Sequence, residues 1–306
     1  NITLVAGSLT DSGTISGNLL TTTTSGGVIF DSANAIATFS GTDSGAGEIL
    51  LSTTGALNIG TVTTDSNITL STTGDIIQSG NISTTAGDIT VTSSTGSIDM
   101  NNGMSAATNG GNISYSADGN IGIWLLNAAA ASAENSPADV GTVTINSGSG
   151  SVVSNNPTIN ANVRADTVDI SVLKNIGVGN TDAFIFSSDI QGTVTMNYGG
   201  QAYIDIAPNF NVKLTIVDRG VGAINTGAAR SAGTQRSQSS GLEDVGFIDL
   251  ALFSDINLFV VDGIGITLPA DQSDVVPSRK NIPVEDEEGK KKKKKRSGLN
   301  VSYLLH

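Results

Sequence analysis

The feature that most constrains this chain is a repeated pattern of apolar residues around a glycine. Each repeat has an aliphatic residue, a second apolar residue two positions later, and a third one eight or nine positions from the first, after a polar stretch that contains the glycine. The clearest copies are EILLSTTGAL (48–57), NITLSTTGDI (67–76), DITVTSSTGSI (88–98) and NISYSADGNI (112–121). A repeat of this length is typical of solenoid proteins.

The same spacing continues on both sides of these four segments and gives eight units, spaced by 19 to 30 residues. Their first apolar positions are Val28, Ile49, Ile68, Ile89, Ile113, Val143, Val168 and Val194, and their last are Ile36, Leu57, Ile76, Ile98, Ile121, Val152, Ile176 and Ala202. The segment from Ile2 to Leu9 is expected to form a ninth unit. An insertion at 127–137 is expected to bulge out as a loop or a short helix.

Within each unit apolar and polar residues alternate, and this period of two predicts a β-strand with one buried and one solvated face. We expect Ile68 and Leu70 to point inwards, and Thr69 and Ser71 outwards. A glycine then turns the chain, since glycine adopts positive φ freely, and a second short strand follows. One unit cannot bury its own apolar face, but stacked units bury one continuous column. The pattern predicts an all-β chain, a parallel β-solenoid of about eight or nine coils with roughly 20–25 residues each.

The alternative interpretation is that a chain so rich in Ser, Thr and Gly is disordered low-complexity sequence. The regular placement of Ile, Val and Leu argues against disorder, because periodic apolar positions are the signature of a buried strand face.

Composition divides the chain into four predicted regions. Residues 1–224 are the β-solenoid, 225–242 a flexible loop, 243–284 an apolar capping segment and 285–306 a charged disordered tail. A cap is expected because an open solenoid end exposes strand edges and core; the alternative is that this segment is an exposed interaction patch. The tail contains the basic run Lys290–Arg296, for which attraction to anionic envelope groups or to a partner is the alternative role.

The scarce residue types exclude several classes of site. The chain has no cysteine, which excludes disulfides, zinc–thiolate and iron–sulfur sites and a cysteine nucleophile. Its one histidine is His306, so a Ser-His-Asp triad or a multi-histidine metal site has no residues to be built from. No run of about 18 apolar residues is present, so no transmembrane helix is expected. Residues 1–163 contain 11 acidic and no basic residues, which disfavours nucleic-acid binding.

Aligned units show how the acidic residues are distributed. The position before the first apolar residue is occupied by Glu48, Asn67, Asp88, Asn112 and Thr142, and the position before the last by Ala56, Asp75, Ser97, Asn120 and Ser151. Carboxylates therefore avoid neighbouring coils, where a spacing of about 4.8 Å would make them repel. Polysaccharide lyases and glycosidases, in contrast, need clustered carboxylates.

One mixed-charge cluster remains, and it comprises Arg164, Asp166, Asp169 and Lys174. Asp169 occupies an outward position, and we interpret Arg164 and Asp166 as an exposed ion pair of little consequence. The sequence thus predicts no catalytic, cofactor-binding or metal-binding residues, no cofactor and no enzyme activity.

The outward position two residues into each unit is mostly Thr or Ser. The row reads Leu50, Thr69, Thr90, Ser114, Thr144, Asp169 and Thr195. It is similar to the Thr arrays of ice-binding solenoids, but Leu50 and Asp169 interrupt it, and Thr also favours a solvated strand face. A glycan-binding module would present exposed aromatic residues, whereas Trp124 is the only tryptophan and lies where its coil departs from the repeat.

The segments NITLSTTGDI (67–76) and GDITVT (87–92) resemble the GDITLxTxxGDI coils of filamentous-haemagglutinin-like exoproteins. Residues 241–253 resemble carboxy-terminal segments of such proteins. The resemblance implies a right-handed β-helix, export across an outer membrane through a partner transporter, and roles in adhesion, aggregation or biofilm formation. The NPNL- and NPNG-type motifs of the family's secretion domain are absent, and the chain begins at Asn1 rather than Met. We therefore expect a carboxy-terminal portion of a longer exoprotein.

These observations favour a non-enzymatic adhesin-type protein, secreted or held at the bacterial cell surface, that binds a host or bacterial glycan or a protein receptor. The alternative is a carbohydrate-active β-helix that binds or cleaves polysaccharide.

Overall fold

The structure is a computed structural model. It describes residues 1–129, 141–156, 161–179, 183–186 and 193–206, and the backbone of three further strands at 215–218, 224–226 and 259–260. The chain divides into two compact units, Asn1–Gly263 and Ile264–His306, and every described residue belongs to the first.

The described residues form 25 β-strands and no helix. In chain order the strands are β1 (Ile2–Val5), β2 (Leu9–Thr10), β3 (Ser16–Thr24), β4 (Val28–Asp43), β5 (Ile49–Thr53), β6 (Leu57–Thr64), β7 (Ile68–Thr72), β8 (Ile76–Gln78), β9 (Ile82–Thr84), β10 (Ile89–Ser93), β11 (Ile98–Met100), β12 (Ser105–Ala107), β13 (Ile113–Ala117), β14 (Ile121–Ile123), β15 (Leu125–Asn127), β16 (Thr142–Ser147), β17 (Val152–Ser154), β18 (Val163–Arg164), β19 (Thr167–Val172), β20 (Phe184–Phe186), β21 (Thr193–Tyr198), β22 (Ala202–Ile206), β23 (Thr215–Asp218), β24 (Ile224–Thr226) and β25 (Phe259–Val260).

The strands pair in parallel with the equivalent strands of the coils before and after them, so the predicted all-β parallel solenoid is confirmed. Three columns of strands result. The first column contains β5, β7, β10, β13, β16, β19 and β21, the second contains β8, β11, β14 and β17, and the third contains β9, β12, β15, β18 and β20. The third column adds one further strand to each coil, and the apolar repeat in the sequence does not predict this strand.

The predicted first positions form one unbroken register along the first column. Val28 pairs with Ile49, and the series continues through Ile68, Ile89, Ile113, Val143, Val168 and Val194. The last positions from Leu57 to Ala202 are likewise aligned in the second column. Coils of different length therefore share one register, because their extra residues lie between the strands.

The amino-terminal unit has a different register from the one expected. Leu9 pairs with Val28, so it occupies a first position and not a last one. Ile2 pairs with Leu20, in the strand that leads towards the next coil. The prediction that Ile2 begins a unit and Leu9 ends it is wrong, because two apolar residues seven apart carry no information about which column each one joins.

Side chains face as the alternation predicts. In β7, Ile68 and Leu70 are fully buried, whereas Thr69 and Ser71 lie on the outer face and are half-buried. The inward residues of successive coils stack into one hydrophobic core. Full burial of one such aliphatic side chain stabilises the fold by about 1.5–3 kcal/mol, and stacking repeats that gain in every coil.

Buried hydroxyl groups close the corners of the coils. At the end of the first column, the Ser93 hydroxyl donates to the carbonyl oxygen of Gly74 at 2.7 Å and accepts the amide of Gly96 at 3.0 Å. Ser147 makes the equivalent bonds to Gly119 (2.7 Å) and Gly150 (3.0 Å). These inward-facing hydroxyls satisfy turn backbone groups that would otherwise be buried without partners.

Glycine at the corners is required by coil-to-coil contact as well as by turn conformation. Gly55 has a φ of 84°, as the turn prediction expects. Gly111 has no positive φ, but a Cβ atom there would clash with the carbonyl oxygen of Gly87 in the preceding coil. Gly141 has the same relation to Gly111. Backbones of neighbouring coils thus approach too closely at this corner for any side chain.

Several predicted regions lie outside the described residues. These include the insertion beyond Ala129, the loop at 227–242, the tail at 285–306 and the capping segment apart from β25. Parallel pairing does continue from β21 to β23 and from β23 to β25. The region boundaries themselves stay predictions.

Candidate functional site

The acidic residues in the aligned turn positions belong to a ladder of side-chain acceptors. Asp75 Oδ1 accepts the backbone amide of Ser97 in the next coil at 2.8 Å. The series continues with Ser97 Oγ accepting Asn120 N (3.1 Å), Asn120 Oδ1 accepting Ser151 N (2.9 Å), Ser151 Oγ accepting Asn175 N (3.1 Å) and Asn175 Oδ1 accepting Gln201 N (2.8 Å). The carboxylate of Asp75 therefore performs the same structural task as the neutral residues above it.

A second ladder precedes the first column. Asn67 Oδ1 accepts the amide of Asp88 at 3.0 Å, Asp88 Oδ1 accepts that of Asn112 at 2.7 Å, and Asn112 Oδ1 accepts that of Thr142 at 2.9 Å. Asp, Asn and Ser all supply a short acceptor, which explains why these three types share the positions. The alternation of charged and neutral residues seen in the sequence is thus the pattern of a hydrogen-bonded stack.

Asp43 is a buried carboxylate that holds one corner. It accepts hydrogen bonds from the Thr24 hydroxyl (2.7 Å) and from the amides of Gly27 (2.8 Å), Gly45 (3.1 Å) and Gly47 (3.2 Å). Burial by itself raises the pKa of Asp43, but these four donors outweigh it and hold the pKa below the usual value. Both carboxylate oxygens of Asp43 therefore accept hydrogen bonds within this corner.

Asp11 is held in a smaller network of the same kind. The buried Asn34 donates to Asp11 Oδ2 at 2.9 Å and accepts the amide of Ile15 at 2.7 Å, while the Ser32 hydroxyl donates to Asp11 Oδ1 at 3.2 Å. Burial by itself raises the pKa of Asp11. The hydrogen bonds from Asn34 and Ser32 outweigh this effect, so the pKa of Asp11 lies below its ordinary value. Asp11 thus links the first two coils.

A polar bridge also crosses the core. The Tyr115 hydroxyl donates to Gln78 Oε1 at 2.5 Å, and Gln78 Nε2 donates to the carbonyl oxygens of Gly80 (3.1 Å) and Ser105 (3.0 Å). Burial raises the pKa of Tyr115, so the phenol stays protonated and keeps its role as donor. The bridge connects the first column with the second and third.

The mixed-charge residues are distributed over different strands. Arg164 lies in the third column, where it pairs with Asn127, whereas Asp169 lies on the exposed face of the first column between Thr144 and Thr195. Lys174 follows β19 in an exposed turn. The structure therefore does not bring Arg164 and Asp169 to the same strand column.

The outward row of hydroxyl residues is aligned as predicted, and a second row lies beside it. Leu50, Thr69, Thr90, Ser114, Thr144, Asp169 and Thr195 are in register, and so are Ser52, Ser71, Thr92, Ser116, Asn146, Ser171 and Asn197. Apart from Asp169, neither row carries a charged residue. The first column thus presents a face across seven coils that is rich in hydroxyl groups and carries one charged residue, Asp169.

A surface cleft of about 510 Å³ lies where the second column ends, and the sequence pattern did not indicate it. Asp99, Met100, Asn101, Asn102 and Asn155 line it. Asn155 Nδ2 donates to Asp99 Oδ1 at 2.6 Å and to the carbonyl oxygen of Met100 at 2.8 Å. Asp99 and Asn155 are 56 positions apart. The only sequence signal is Gly122, which stands at an outward strand position where the neighbouring coils have side chains.

Trp124 lies two residues beyond Gly122 and is half-buried against the core. The buried Asn162 donates to the carbonyl oxygens of Ile123 (2.8 Å) and Trp124 (3.3 Å), which fixes the backbone at this bend. Trp124 is thus part of the corner next to the cleft and does not belong to a row of exposed aromatic residues.

Comparison with known proteins does not assign the chain to a family. No protein-family model matches the chain, and no match is found among curated proteins or among solved structures. Within the described residues, no group of three acidic or histidine side chains is placed to hold a metal ion, and no helix is long and apolar enough to cross a membrane. Function is therefore inferred from the fold, the first-column face and the cleft.

Proposed function

We propose that the chain is a non-enzymatic, adhesin-type segment of a secreted or cell-surface exoprotein. The observation that carries the proposal is the first-column face, in which two rows of mainly Ser, Thr and Asn side chains are repeated in register over seven coils. A repetitive, stable and nearly uncharged surface suits many weak contacts to a receptor, whose sum gives adhesion through multivalency.

The roles of the acidic residues favour binding over catalysis. Asp75 and Asp88 each accept the amide of the next coil, and Asp43 accepts four hydrogen bonds inside a corner. A general acid or base must be able to reach a substrate proton. These carboxylates accept hydrogen bonds from backbone amides, so their role is to stabilise the stacking of the coils.

The secretion route is proposed on the resemblance of 67–76 and 87–92 to filamentous-haemagglutinin-like coils, with which the parallel solenoid is consistent. On this proposal the chain is a carboxy-terminal portion of such an exoprotein, a partner transporter in the outer membrane exports it, and its receptor is a surface glycan or protein. The acidic coils would repel nucleic acid.

The second candidate is binding of polysaccharide, and the cleft at Asp99 is the observation that favours it. Hydrolysis of glycosidic bonds generally uses two carboxyl groups placed about 5–10 Å apart. The cleft lining contains one carboxylate, Asp99. The geometry thus supports binding of a sugar chain better than its cleavage.

Adhesion is tested with the full chain coupled to fluorescent beads. We expect coated beads to adhere to cultured epithelial cells, to fixed bacteria or to extracellular matrix at least several times more than beads coated with albumin. We expect no release of reducing ends from a panel of polysaccharides incubated with the chain. Adhesion at the albumin level on all three surfaces contradicts the adhesin proposal, and reproducible release of reducing ends contradicts the non-enzymatic part of it.

A further inference from the structure

The cleft has a construction that differs from the rest of the second column. The outward positions of neighbouring coils are Ile77, Asp99, Gly122 and Val153, aligned in register. At Gly122 a Cβ atom would lie 2.6 Å from Asn155 Nδ2 and 2.8 Å from Asp99 Oδ1. The glycine thus leaves room for the Asn155 side chain to reach across one whole coil to Asp99.

The groups around the cleft offer donors and acceptors for a ligand. Asn155 occupies one oxygen of Asp99, and within the described residues no hydrogen bond reaches the other oxygen or the side chains of Asn101 and Asn102. Asn101 is anchored through its backbone, which donates to the carbonyl oxygen of Gln78 at 2.9 Å. A carboxylate and two carboxamides that line one cleft provide both acceptors and donors.

We propose that this cleft binds a neutral glycan, with hydroxyl groups of the sugar paired to Asp99, Asn101 and Asn102. A sugar hydroxyl both donates and accepts, so it can donate to the carboxylate and accept from a carboxamide of the same cleft. The cleft has a volume of about 510 Å³ and is open to solvent, so a sugar would lie on it and would not be enclosed. The inference rests on the proposed function, because it assigns one receptor class to the adhesin-type surface.

Charge selects neutral glycans over acidic ones. Asp99 is the one acidic residue among the five that line the cleft, and none of the five is basic. A sialic or uronic acid carboxylate would be repelled by Asp99, and none of the five lining residues is a cation that could compensate. Glycans whose contacts are made by hydroxyl groups avoid that cost.

The test measures binding of the full chain to an array of neutral and acidic oligosaccharides. The strongest neutral oligosaccharide is then titrated in solution and followed by the fluorescence of Trp124, the only tryptophan of the chain. We expect neutral glycans to be bound in preference to sialylated and uronic-acid glycans. We also expect binding to persist in a chelator, since the proposed contacts need no metal ion.

Variants assign the binding to the cleft. The double variant Asn101→Ala/Asn102→Ala should lower affinity by at least about tenfold, because two hydrogen-bonding side chains are lost. Gly122→Ala should lower it by displacing Asn155 from Asp99. The matched control Asn1→Ala/Asn18→Ala removes two exposed carboxamides that neither line the cleft nor belong to the first-column face, and it should leave affinity within about twofold. Thermal unfolding of each variant verifies that it is folded.

The outcomes separate this inference from the proposed function. The inference is overturned if no neutral glycan on the array is bound or if acidic glycans are bound in preference. It is also overturned if a chelator abolishes binding, or if the folded Asn101→Ala/Asn102→Ala variant binds as the wild type does. In the first and last cases, retained adhesion of coated beads leaves the adhesin proposal standing. Loss of both glycan binding and bead adhesion in the wild type contradicts the two together.

Discussion

The first column of strands and the corner between the second and third columns follow different rules. In the first column every coil contributes a strand in the same register, from Val28 to Val194. At the corner, β6 passes from the second column to the third as one continuous strand. Other coils have a turn or a longer segment between these two columns, as between Asn155 and Val163. Stacking thus constrains the register of the first column but allows the corner to vary in length, and the cleft lies at this variable corner.

The largest effect should separate the inner and outer faces of the stack. Ile89 is fully buried in the first column, so Ile89→Ala should lower the free energy of unfolding by about 2–5 kcal/mol through lost burial and a residual cavity. Ile77 is 47% exposed, and Ile77→Ala should change stability by about 0.5 kcal/mol or less. Urea unfolding of both variants measures the contrast. Equal losses would show that the strand faces are not assigned as described.

An intermediate effect should come from the backbone contact between coils. Gly111→Ala places a Cβ atom against the carbonyl oxygen of Gly87, and we expect a loss of about 1–3 kcal/mol as the coils are forced apart. Gly13 has no positive φ and no atom within 4 Å of its Cβ position, so Gly13→Ala is the matched control and should be close to neutral. Thermal denaturation compares the two. A neutral Gly111→Ala would mean that the corner is looser than the structure indicates.

The smallest effect concerns pH. The pKa of Asp43 is lowered in the folded state from an ordinary value of 3.8, so its stabilising contribution is present above that value and is lost as pH falls through the folded-state pKa. Asp43→Asn should therefore remove part of the loss of stability on acidification below about pH 4. The control Asp169→Asn changes an exposed carboxylate on the first-column face and should keep the wild-type slope. Melting temperatures at pH 7, 4 and 3 test this, and parallel curves for wild type and Asp43→Asn would refute it.

The first two columns could be predicted because their apolar residues have fixed spacing. Ile68 and Ile76, or Ile89 and Ile98, are eight or nine positions apart, and the strands that they begin are the confirmed ones. The third column has no such period. Leu126, which faces inwards in the third column, lies five residues after the second-column position of its coil. Val163 lies 11 residues after the second-column position of its own coil. A pattern search needs constant spacing, so these strands are visible only when neighbouring coils are aligned in space.

The same reason applies to the cleft and to the turn ladders. Aligned turn positions showed that carboxylates avoid neighbouring coils, but not that Asp75 and Asp88 accept the next amide. Asp99 and Asn155 meet across Gly122 because an intervening coil has no side chain there, and nothing in the local sequence of either residue indicates the partner.

The class of fold follows from the sequence pattern alone, because period-two apolar segments that recur at solenoid spacing can bury their inner faces only by stacking. The same pattern also determined which residues line the core of the first two columns. Tertiary structure alone decided which side chains from different coils come together. The coils vary in length between their strands, so the position of a corner residue relative to the next coil depends on the register of the whole stack. That register places Asp99, Asn101, Asn102 and Asn155 around one cleft.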